Sequence, residues 1–112
     1  MRVKITVLGS TYDVLLMCDS GNLLREPVSA LPVIILSPGV FGFDVYSPSP
    51  PVPVRAVTFS TAGGTDCFMA FEPKEITYLK KGRKKTVRAY VAVNKNTMSY
   101  GMCEGLFPAS LY

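Results

Sequence analysis

Apolar and polar residues alternate in Val3-Lys4-Ile5-Thr6-Val7, the period-two pattern of a half-buried strand. Gly9-Ser10-Thr11 reads as a turn, and Tyr12 to Cys18 as the returning strand. That second strand is apolar almost throughout, as expected where both faces are covered, and it stops at Asp19-Ser20-Gly21-Asn22. Pro27 and Pro32 bracket a loop, and Val33-Ile34-Ile35-Leu36 predicts a third, buried strand. Ser37 to Pro53 is rich in Pro, Gly and Ser, centred on Ser47-Pro48-Ser49-Pro50-Pro51; it predicts an exposed, extended loop with no strand and no chemistry of its own. Val54 to Thr58 resumes a strand, Ser60-Thr61-Ala62-Gly63-Gly64 turns, and Cys67 to Phe71 returns. Glu75 to Leu79 and Thr86 to Val93 predict another hairpin around Lys80-Lys81-Gly82-Arg83-Lys84-Lys85. Asn94 to Tyr112 holds a turn, Gly101, Gly105 and a short helix near Pro108. No internal repeat is visible. The expectation is one all-β domain over residues 1–112, folded as a small closed barrel with at most one short C-terminal helix.

Composition agrees with a β-rich, turn-rich chain: 48% of the 112 residues are apolar, 18% are charged, and Gly and Pro number nine each. No apolar stretch approaches the roughly 20 residues a membrane helix needs. Met1-Arg2-Val3-Lys4 runs straight into the first strand pattern, so no signal peptide is read there. Cys18, Cys67 and Cys103 are odd in number and set among apolar residues, which suits reduced core thiols better than a disulfide framework. The chain has no His. That excludes Ser-His and Cys-His nucleophiles and speaks against a typical zinc site. Carboxylates remain.

Among them Asp19 stands out. An apolar run ending in Asp-(Ser/Thr)-Gly is how an aspartic peptidase presents its catalytic carboxylate. The strand carries the Asp forward, the Ser20 hydroxyl can hold it, and Gly21 lets the chain turn and bring a backbone N–H close. By itself Asp19-Ser20-Gly21 is also what any strand ending in an Asx-capped turn looks like. Such an enzyme needs two aspartates and this chain offers one in that setting, which points to a homodimer sharing the site across a two-fold axis.

The order of elements resembles a retroviral-type aspartic peptidase protomer: a hairpin into Asp-Ser-Gly, a Gly-rich flap hairpin, a second hairpin and a closing Gly turn. Locally, Cys18-Asp19-Ser20-Gly21-Asn22-Leu23-Leu24-Arg25-Glu26-Pro27, followed by Leu31-Pro32-Val33-Ile34-Ile35, resembles the sporulation sigma-E factor processing peptidases. Gly63-Gly64, Ala70-Phe71-Glu72-Pro73 and Gly105-Leu106-Phe107-Pro108 look like that family's punctuation. The apolar-apolar-Gly stretch that supports the catalytic loop in retroviral-type enzymes has only Ser99-Tyr100-Gly101 and Cys103-Glu104-Gly105 as its nearest counterparts.

The resemblance implies a membrane-anchored peptidase whose cytoplasm-facing domain corresponds to this chain, with the membrane domain outside it. It implies the pro-form of a sporulation sigma factor as substrate and leaves room for an activating protein. Asp19 would be catalytic, with Ser20, Gly21 and Asn22 supporting its loop, and Ser60, Thr61, Ala62, Gly63 and Gly64 would be a flap over the substrate. The mechanism needs no cofactor and no metal.

Lys80 to Lys85 could meet an acidic partner, anionic lipid or nucleic acid, but such a run is more often the solvated tip of a hairpin. No aromatic residues interleave with its charges, which argues against a nucleic-acid platform. Asp13, Asp44, Asp66, Glu72, Glu75, Glu104 and Glu26 read as surface or structural carboxylates. The second function class is a non-catalytic barrel that dimerises or contacts an acidic partner through this basic hairpin.

Overall fold

Leu8 (φ 53°) and Gly9 (φ 75°) make a two-residue turn joining β1 (Arg2–Val7) to β2 (Ser10–Asp19). Lys81 (φ 51°) and Gly82 (φ 75°) do the same between β6 (Glu75–Lys80) and β7 (Arg83–Val87). Two successive positive φ angles match the right-handed twist of the flanking strands, so both hairpins close with the shortest connection. The remaining strands are β3 (Val33–Leu36), β4 (Arg55–Thr61), β5 (Gly64–Phe71), β8 (Tyr90–Val93) and β9 (Gly105–Pro108). The computed structural model describes residues 1–96 and 100–112.

The strands form one mixed sheet in the order β4-β5-β8-β3-β9-β2-β1-β6-β7. β2 pairs with β9, and β3 with β8, in parallel; β9 lies antiparallel to β3. Residues on the central strands alternate between two cores. Ile34, Leu36, Val91, Phe107 and Phe71 join Val3, Ile5, Val14, Leu16 and Ile76 on one side. Val33, Ile35, Ala92, Tyr90 and Ala70 form a second cluster on the other. A strand such as β3, with all four residues buried, is the expected product of covering both faces.

The sheet is open, and the expected closed barrel of the retroviral type does not form. β4 and β7 are the two edges and do not pair with each other. The reason lies in loop 37–53, which the Pro-rich sequence marks as exposed. It has no strand, but Phe41 and Val45 are buried in the first core, with Phe43, Tyr46 and Val52 packed on it. Phe41 meets Tyr12 edge-on at 4.9 Å and Phe71 at 5.3 Å. The loop supplies apolar cover, and β7 offers Arg83, Lys84, Lys85 and Thr86, all exposed, as a poor strand for closure.

Three further expectations need correction. The run from Thr86 to Val93 is two strands, because Arg88 leaves the strand line and grips Glu72 with two bonds of 2.8 and 2.9 Å. The hydrogen bond from Arg88 holds the Glu72 carboxyl below its usual range. The second strand is covered mainly on one face, with Met17 and Cys18 exposed. All three cysteines are free, but Cys18 is at the surface and Cys67 and Cys103 are half-buried, so none is a core thiol. The chain's end carries only a 3-10 turn at Ala109–Leu111, with no α-helix among the described residues. No helix among them is long and apolar enough to cross a membrane.

Candidate functional site

Asp19 is the last residue of β2, directly beside Pro108 of the parallel strand β9. It is half-buried, on the same sheet face as Met17, Leu106 and Ile35, two and more residues apart along their strands. The chain then turns back on itself. Gly21 donates its N–H to Asp19 Oδ1 at 2.9 Å, and Asn22 N–H reaches the Asp19 carbonyl at 3.4 Å. A Cβ on residue 21 would lie 3.3 Å from Asp19 Oδ1, so glycine permits this approach. Ser20 is exposed, and its hydroxyl makes no hydrogen bond among the described residues; the carboxylate is held by the Gly21 N–H.

The loop after the turn is fastened by two buried polar side chains. Asn22 donates Nδ2–H to the Val33 carbonyl at 2.7 Å and accepts from Leu24 N–H at 3.3 Å, tying the turn to the start of β3. Glu26 is 1% exposed, and its carboxylate accepts from Val28 N–H at 2.9 Å and Ser29 N–H at 2.8 Å. Burial pushes the Glu26 carboxyl up, but the Val28 and Ser29 backbone donors, together with the Ser29 side chain and the Arg55 charge, outweigh it and leave the net pKa below the ordinary glutamate value. A lowered pKa means the carboxylate stabilises the fold fully above the unfolded glutamate pKa, and loses that role as pH falls through the folded value. Glu26→Gln should therefore lower the melting temperature at neutral pH, with the gap closing on acidification below about pH 4. Melting curves of both proteins between neutral and acidic pH check this; a gap that does not change with pH would contradict it.

Asp19 opens onto a groove of about 510 Å³. Gly21, Asn22, Leu23 and Leu24 line it from the turn, Ile35 and Leu106 from the sheet floor, and Phe59, Ser60 and Phe68 from the β4–β5 hairpin. Asn94 and Tyr100 close one side, where Asn94 Nδ2 lies 3.3 Å from the Tyr100 hydroxyl. Asp19 is the only carboxylate among the lining residues.

Of the residues expected in the flap, only Ser60 reaches the groove. Ser60, Thr61 and Gly64 belong to the strands, paired Ser60 to Thr65 and Thr61 to Gly64, which leaves Ala62 and Gly63 as the turn. Thr61 Oγ1 bonds the Gly64 carbonyl at 3.2 Å, and the tip is exposed. Ser99 lies outside the described residues. Gly105 starts β9, wedged between Leu16 of β2 and Leu36 of β3. Phe59, Phe68, Tyr100 and Leu106 escape sequence reasoning, since nothing local distinguishes an apolar strand residue facing a groove from one facing a core. Among the described residues no three His, Cys, Asp or Glu side chains come together as a metal would need. Compared with known proteins, the chain matches no family model, no curated protein and no solved structure.

Proposed function

We propose that this chain is the peptidase domain of an aspartic endopeptidase that works as a homodimer, with one Asp19 from each copy forming the active site. The observation that carries this reading is the setting of Asp19. A strand-end carboxylate, held by the Gly21 N–H, lies in an apolar groove edged by the β4–β5 hairpin. Two features support a second copy. Among the described residues that line the groove there is no other carboxylate, so one chain holds half an acid–base pair. Leu23, beside Asp19 in the groove lining, is 81% exposed, a large apolar side chain placed where a partner would cover it.

Two carboxylates brought together cannot both ionise, so the pair holds one proton, the pattern familiar from aspartic proteases. The ionised Asp19 takes a proton from a bound water, and the water oxygen bonds to the peptide carbonyl carbon. The neutral Asp19 gives its proton to the carbonyl oxygen. Collapse of the tetrahedral species breaks the C–N bond, and the amine leaves with the proton that the first Asp19 took from water. A hydroxyl of the tetrahedral carbon returns its proton to the second Asp19 as the carboxylic acid product forms, which restores the singly protonated pair. On the strength of the Asp19 to Pro27 resemblance, the substrate is the pro-sequence of a sporulation sigma factor. On the same ground the domain is held at the cytoplasmic face of a membrane by a part outside these residues.

The test is the rate of pro-sequence cleavage against enzyme concentration. A half-site per chain makes the rate rise more steeply than linearly until the dimer saturates. Strict proportionality, from a species that sediments as a monomer, would sink the shared site.

A further inference from the structure

Between Glu75 and Glu104 the sequence holds seven Lys and Arg residues and no Asp or Glu, whereas the rest of the chain has five cations against eight acids. Five of the seven lie in six residues, Lys80 to Lys85, and the fold places them on the β6–β7 hairpin. This hairpin is the far end of the sheet from β4, away from the Asp19 groove. Lys81, Arg83, Lys84 and Lys85 are exposed, and none forms an ion pair among the described residues. Beside them Leu79 is 69% exposed, opposite Lys84 in the hairpin register.

We infer that the β6–β7 hairpin docks this protein onto an anionic lipid surface. The cations occupy both faces of the ribbon: Lys80, Arg83 and Lys85 alternate with Lys84 and Leu79, and Lys81 sits at the turn. A planar negative surface approached tip-first meets both faces at once, whereas a peptide lying along the sheet would meet one. Four of the five cations are lysines, strongly hydrated point charges on long stems, suited to a diffuse field. Stereospecific recognition of carboxylates or phosphates favours the planar fork of arginine instead. Leu79 supplies the apolar residue that enters the headgroup region beside such a cluster. On one face of the ribbon, Tyr78 and Tyr112 stack with centroids 5.7 Å apart, and Lys80 lies over the Tyr112 ring. Tyr78 is buried, but Tyr112 is 48% exposed, and an apolar ring with a polar tip suits the boundary between water and lipid.

Co-sedimentation of the chain with vesicles of phosphatidylcholine, with and without about 30 mol% phosphatidylserine, tests this at about 0.1 M salt. Binding is expected only to the serine-containing vesicles, and should be lost at about 1 M salt, where the screening length falls to about 3 Å. Replacing Lys81, Lys84 and Lys85 by Gln should weaken binding on the order of a hundredfold, at about fivefold per cation. All three are exposed, and circular dichroism confirms that the variant is folded. A second variant, Leu79→Ser, should reduce binding while keeping its salt dependence. Equal binding to both vesicle types, or unchanged binding by the folded triple variant, overturns the inference. So does the absence of vesicle binding alongside salt-sensitive capture of a poly-glutamate peptide or single-stranded DNA, which would assign the surface to those partners. No cleavage enters the readout, so the result stands apart from the fate of the peptidase reading.

Discussion

Asp19→Asn should abolish pro-sequence cleavage, by about a thousandfold or more, and leave the domain folded. The amide keeps the size of the carboxyl group and an oxygen to accept from the Gly21 N–H at 2.9 Å, so the turn stays closed. What it loses is the ability to take a proton from water or to share one with a second carboxylate. The side chain has no other hydrogen-bonded partner and no ion pair among the described residues, so folding has little to lose. The variant serves a second purpose. Mixed with wild type and allowed to exchange, it should suppress activity faster than dilution does, because each mixed dimer has one working aspartate. Near-wild-type cleavage by the variant would end the peptidase assignment. Full activity in the mixture would end the shared site while leaving a peptidase standing.

Gly105→Ala is expected to be the most damaging single change to the fold. A Cβ there would lie 2.0 Å from the Ile35 carbonyl oxygen and 2.9 Å from Leu36 Cδ2. The first contact is with backbone in the middle of a sheet, which cannot rotate aside. β9 would have to move away from β3, yet it is also paired with β2 on its other side. A cost of about 4 kcal/mol or more follows, a large part of the 5–15 kcal/mol that holds a typical domain together. Because the same β9 lies beside Asp19 through Pro108, any population that stays folded should also lose cleavage. Urea or thermal unfolding decides the matter; a melting point within about 2 °C of wild type would show that β9 accommodates the methyl group.

The Glu26 carboxylate and the Glu72–Arg88 pair show how loops are fixed here. Both are polar devices in connecting segments, and in both the carboxyl pKa is lowered. They differ in burial: Glu26 is enclosed by its own loop, while Arg88 is largely exposed and its pair is screened by solvent. Acidification should therefore loosen the segment behind the Asp19 turn more than the bend between β7 and β8.

Local pattern alone determined the β1–β2 hairpin, the buried strand Val33–Leu36, the β4–β5 hairpin to within a few residues, the first strand of the β6–β7 hairpin and the strand-end position of Asp19. Each depends on neighbours in sequence: alternation, a Gly-bearing turn, or a short apolar run between breakers. The returning strand of the β6–β7 hairpin, expected over Thr86 to Val93, instead runs Arg83–Val87 and takes in half of the basic run. Tertiary structure decided what those segments do together. No local signal says that β9 runs parallel to β2 or that β8 leaves β7 for β3, because strands distant in sequence choose partners by shared buried area. The burial within loop 37–53 escapes local pattern for the same reason, since Pro and Gly report backbone conformation and not where Phe41 and Val45 find cover. The candidate site divides along this line. Asp19, Gly21 and Asn22 lie within four residues and could be read directly. Phe59, Phe68, Tyr100 and Leu106 face Asp19 only because four separate segments converge on one sheet face.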